Sequence, residues 1–119
     1  MGPKRPTGPV RLVMSHINAG DWKAAYAGDH YALTYIFGEL LREGRQLFGF
    51  SATVHVVATW AKRQSGDDSK SLVIVNRGTL GMVLRNTADR GCTNLTFWAQ
   101  LPDDDTPKPG QVTLENLFG

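Results

Sequence analysis

The chain has 119 residues, 41% of them hydrophobic, a formal net charge of +2 and one cysteine. That length suits one domain able to bury about two-thirds of its unfolded surface, and the apolar share excludes disorder over most of it. A single cysteine excludes an internal disulfide framework and a multi-cysteine zinc site, and a charge of +2 is too small to imply nucleic acid by itself.

Residues 1–9 contain three prolines and two glycines. Proline lacks the N–H that a helix interior or central strand needs, so this stretch reads as an extended arm, made basic by Lys4 and Arg5. Residues 10–101 read as one domain. Val10, Val13, Met14 and Ile17 are spaced like one face of a first helix, ended by Gly20. Asp21 is placed to cap a short second helix and Asp29 to cap a third. That third helix, over residues 30–43, is the clearest: Leu33, Ile36, Phe37, Leu40 and Leu41 form one apolar stripe. Gly44 is expected to stop it, and Tyr31 and Tyr35 flank its edge.

The hydrophobic rhythm then changes from three or four residues to two. Phe48, Phe50, Ala52, Val54, Val56, Ala58 and Trp60 alternate with mostly polar residues, which predicts a long strand. Residues 62–70 form a polar loop. Residues 71–75 read as a short strand, Asn76-Arg77-Gly78 as a tight turn and residues 79–85 as the returning strand. Residues 93–101 give a further strand with Leu95, Phe97, Ala99 and Leu101 on one side. Residues 102–119 form an acidic, proline-containing tail, with Asp103, Asp104 and Asp105, whose end is apolar. The whole predicts an α+β domain: two or three N-terminal helices packed on one face of a four- to five-stranded antiparallel sheet.

No catalytic or metal motif emerges, no cofactor is implied, and the reading leans away from an enzyme. His55 shares the polar strand face with Ser51, Thr53 and Thr59, but no carboxylate is placed to orient it as a base. His16 and His30 read as ordinary helix residues, and Cys92 as a small apolar residue. Gly78 and Gly81 lack the lysine and strand-to-helix setting of a phosphate loop.

A better constellation is non-catalytic. Alternation puts Trp98 on the polar side of its strand, with Thr96, Gln100, His55 and Thr53 expected on the same face. An aromatic set among hydrogen-bonding groups can anchor a protein interface. With the apolar Leu117 and Phe118 and oppositely charged ends, this favours a structural or assembly protein that forms a homo-oligomer or joins a larger complex. The alternative is a nucleic-acid binder, with Lys4, Arg5, Arg11, Lys62, Arg63, Arg77 and Arg85 on phosphates and Trp98 stacking on a base. A third reading comes from Asn18-Ala19-Gly20-Asp21-Trp22, which resembles the end of the first helix in nuclear-transport-factor-like (cystatin-related) proteins. That resemblance covers only this short stretch; it implies a ligand pocket between helices and curved sheet, with His55, Asp21 and Tyr35 lining it. No apolar run is long enough to span a bilayer, so a cytoplasmic setting, or one inside a viral particle or other assembly, is expected.

Overall fold

A computed structural model describes residues 6–61 and 69–102. In chain order these form β1 (Val10–Arg11), α1 (Ala19–Tyr26), α2 (His30–Phe48), β2 (His55–Ala61), β3 (Ser69–Val73), α3 (Arg77–Asp89) and β4 (Thr93–Gln100). The strands make one antiparallel sheet in the order β1-β4-β2-β3, with helices packed against it, so the fold is α+β as expected.

Helix α2 is the centre of the packing. Its start is set by Asp29, whose side chain accepts a hydrogen bond from the Ala32 N–H at 2.9 Å and so satisfies one otherwise free first-turn amide. Ala32, Leu33, Ile36, Leu40, Gly44 and Phe48 are its buried residues, a stripe that meets Val54, just before β2, and Val56, Ala58, Trp60, Phe97 and Ala99 of the sheet in one core. Gly44 does not end the helix. It lies where α2 comes closest to the sheet: a Cβ there would sit 2.8 Å from Val54 Cγ1 and 3.0 Å from Ala99 Cβ. The glycine is needed for space, and the stop falls instead at Gly49, whose φ of +117° suits only a residue without a side chain.

Three further expectations are corrected. Residues 10–18 are not a helix: Val10 and Arg11 pair with Ala99 and Trp98 of β4, and the Leu12 N–H donates to the Phe97 carbonyl at 2.8 Å. The open edge of β4 supplies partners that a short helix would have to find within itself, and the supposed stripe fails because Val13 is exposed while Leu12 is buried. Asn18, not Asp21, caps α1, accepting from the Asp21 N–H at 2.8 Å. Residues 79–85 are not a strand, and 76–78 are not a hairpin turn. Asn76 accepts from the Thr79 N–H at 2.9 Å and starts α3, whose Leu80, Val83, Leu84 and Thr87 are buried at helical spacing.

The alternating run is a strand only over its second half. Phe48 closes α2, buried, while Phe50 stands 79% exposed in the connection. From Val54 onward the expected parity holds, with Val56, Ala58 and Trp60 on the helix side. Residues 1–5, 62–68 and 103–119, which hold most of the expected arm, polar loop and tail, lie outside the described residues.

Two carboxylates of α2, one turn apart, hold the β1–α1 connection. Glu43 Oε1 accepts from the Val13 N–H at 3.1 Å, and Glu39 Oε2 meets His16 Nε2 at 2.9 Å and Arg42 at 2.6 Å. The Arg42 hydrogen bond first, then that of His16, holds the Glu39 carboxyl below its ordinary pKa. A lowered carboxylate pKa stabilises the fold above the unfolded-state value and ceases to do so as pH falls through the folded one. Acidification through that lower range is therefore expected to free His16 in histidine NMR spectra of the wild type, and Glu39→Gln to remove this step. For the core, Leu40→Ala, at a fully buried site, is expected to lower the unfolding free energy by about 2–5 kcal/mol in urea titration, because it leaves a cavity. Phe50→Ser should change it by less than about 0.5 kcal/mol, as for an exposed site.

Candidate interaction surface

Strand pairing fixes which side chains meet on the face away from the core. Trp98 lies opposite Val57 on one side and Arg11 on the other, and Val57 lies opposite Val73, so Arg11, Trp98, Val57 and Val73 form a row across four strands. Thr96, Thr59 and Ser71 form the next row, and Gln100 faces His55. In a pleated sheet, residues in register share a face, so these are neighbours. Val57 and Val73 are only 4% exposed yet stand apart from the helix-side cluster, making an apolar floor of their own.

Trp98 is half-buried on this face. Its Nε1–H donates to Thr96 Oγ1 at 3.1 Å, which satisfies the indole and fixes the plane of the ring. Beside it the hydroxyls of Thr59 and Ser71 are 3.0 Å apart. His55 is half-buried, with its Nδ1 enclosed and without a hydrogen-bond partner. A buried nitrogen left so costs about 1–3 kcal/mol in general. Thus Trp98, Thr96, Gln100 and His55 are brought together. Thr53 precedes the strand in the loop before β2, exposed, and is not part of the ladder; Leu117 and Phe118 lie outside the described residues.

The described cations of the predicted set do not gather in one stripe. Arg11 is on β1, beside Trp98. Arg77 and Arg85 sit on α3, within the helical layer rather than in sheet loops. Arg77 donates to Thr34 Oγ1 of α2 at 3.0 Å. Arg85 lines a groove of about 430 Å³ with Gly28, Gly78 and Gly81. Lys4, Arg5, Lys62 and Arg63 lie outside the described residues.

Nor does the fold assemble the residues implied by the nuclear-transport-factor resemblance. Asp21 is in the first turn of α1 and Tyr35 is exposed on α2, whereas His55 is on the opposite sheet face from the helices. Between helix and sheet the space is filled by Ile36, Leu40 and Phe48. Among the described residues no group of three or more His, Cys, Asp or Glu side chains is placed to hold a metal. No described helix is long and apolar enough to cross a membrane.

A second concavity was not expected. A groove of about 340 Å³ runs between α1 and the β1–β4 edge. Trp22 stacks on Phe97 there, ring centroids 6.1 Å apart and planes 16° from parallel. Tyr26 lies one turn further along α1, and partial burial pushes its hydroxyl pKa up. The four-residue spacing of Trp22 and Tyr26 was the available sequence signal, since such a pair shares a helix face.

Comparison with family models, with curated proteins and with solved structures finds no match for this chain. Its functional reading therefore rests on the geometry above.

Proposed function

We propose that this chain is a non-enzymatic assembly module that associates with copies of itself, or with a larger complex, through the sheet face that no described helix covers. The observation that carries this reading is Trp98: a large aromatic, half-buried, oriented by its bond to Thr96 and seated beside an apolar floor. An anchor of this kind loses little side-chain entropy when covered, and tryptophans so placed dominate the energetics of many interfaces. The surrounding hydroxyls of Thr59, Ser71 and Thr96 supply a polar border.

The second reading, a nucleic-acid binder, is favoured by one contact geometry, the exposed Arg11 in register beside Trp98. The split between Arg11 on the sheet edge and Arg77 and Arg85 on α3 weighs against it, because a backbone track needs cations along one path.

Mass in solution, by light scattering with and without added single-stranded DNA, separates the two. Self-association predicts a multiple of the single-chain mass at high concentration, insensitive to the nucleic acid. Trp98→Ala is then expected to weaken the association by about thirtyfold or more, the scale of an interface hot spot. A monomer at every concentration would remove the self-association reading. Salt-sensitive binding of the DNA would replace it with the second.

A further inference from the structure

The groove of about 340 Å³ between α1 and the β1–β4 pair has a lining of two kinds. Leu12 and Phe97 are buried members of the core, while Met14, Trp22 and Leu95 pack against that core and stay half-buried. The indole of Trp22, stacked at 16° on Phe97, thus gives part of its surface to the groove. Arg11, Thr96 and Tyr26 supply the polar part. Among the described residues that line it, Arg11 alone is charged. Its backbone is fixed, since Arg11 pairs with Trp98 and the Leu12 N–H donates to the Phe97 carbonyl. Its guanidinium is uncommitted. Arg42 is bound to Glu39 and Arg77 to Thr34, whereas no described carboxylate lies within ion-pair distance of Arg11. Tyr26, its pKa raised by partial burial, is uncharged at neutral pH and brings nothing to oppose an anion.

These features select a ligand by its chemistry. Aromatic walls favour a flat ring, which stacks offset or edge-on against indole and phenyl groups. A planar guanidinium suits a carboxylate, to which it donates two parallel hydrogen bonds. The volume stands at the lower end of the roughly 300–1,000 Å³ usual for small-molecule sites, which suits one or two fused rings. Met14 adds a flexible, polarisable side chain that adapts to the edge of a ring. The groove beside Arg85 differs, because its described lining is three glycines, Met82 and Asn86, with no aromatic ring.

We propose that this groove binds a small planar aromatic carboxylate, its ring against Trp22 and Phe97 and its acid group paired with Arg11. The site is distinct from the Trp98 face: Phe97 belongs to the helix-side core and Trp98 lies on the other side of β4. Arg11, in register with Trp98, is the residue common to both.

An NMR titration of the full-length chain with β-naphthoate and with its neutral amide, β-naphthamide, read at the indole N–H signals, tests this. Naphthoate is expected to move the Trp22 signal saturably and to leave that of the buried Trp60 in place. It should bind about two- to fivefold more tightly than the amide, the scale of an exposed ion pair. Arg11→Gln, at an exposed site outside the core, should abolish that preference while Trp22 still responds to both compounds. A Trp22 signal unmoved by millimolar naphthoate would overturn the proposal. So would equal affinity for acid and amide, or a preference that survives Arg11→Gln. A response confined to Trp98 would put the anion on the other sheet face, and a Trp22 signal that shifts only on dilution would give the groove to a second copy. Either result overturns the proposal as well. The readout is the Trp22 indole rather than the mass of the chain, so this site and the Trp98 face stand or fall separately.

Discussion

The close approach of α2 to the sheet at Gly44 is the constraint on which the rest depends. With no side chain at this position, Val54 and Ala99 come within van der Waals reach of the helix backbone, and the stripe of Leu33, Ile36 and Leu40 reaches the core. Burial of each such side chain contributes on the order of 1.5–3 kcal/mol before entropy is counted. A larger residue at 44 would push the helix outward and thin every one of those contacts, since interiors are packed too densely to absorb it. A second glycine plays a similar part between helices, because a Cβ on Gly81 would lie 3.0 Å from Leu33 Cδ1.

One-sided packing has consequences for the surface. The described helix-side apolar residues pack in a single cluster, and among the described residues no helix covers the tryptophan on the other side of β4. The same helix that builds the core also holds the chain after β1, accepting the Val13 N–H through Glu43. The surface proposed for contact, the Trp98 face, thus follows from where α2 sits rather than from any inherited motif.

Much of this was legible in the residues. The α2 stripe, the inward parity from Val54 to Trp60 and the outward placement of Trp98 follow from periodicity, and the Asp29 cap from its residue type just before the stripe. The failures have physical causes. Gly44 was read as a stop because glycine favours left-handed turns, but here it serves a tertiary contact that sequence does not display. Residues 71–85 suggest a hairpin because Asn76-Arg77-Gly78 suits a tight turn between two short runs. The stripe of Leu80, Val83, Leu84 and Thr87, together with Asn76 as a cap, was the stronger signal. Val10 and Arg11 were assigned to a helix because a two-residue strand has no periodicity to read; only the edge of β4 defines it. Of the candidate surface, Thr96, Trp98, Gln100 and His55 could be grouped from alternation, whereas the α1 groove required knowing that Trp22 packs on Phe97.

The seat of α2 is tested most directly by a double-mutant cycle between Gly44→Ala and Val54→Ala, with unfolding free energies from urea titration. If Val54 Cγ1 is what limits the approach, removing it makes room for the new methyl. The double variant is then expected to be more stable than the sum of the single losses implies, by about 0.5–3 kcal/mol. Losses that simply add, to within about 0.5 kcal/mol, would contradict a shared contact and with it the packing from which the proposed surface arises.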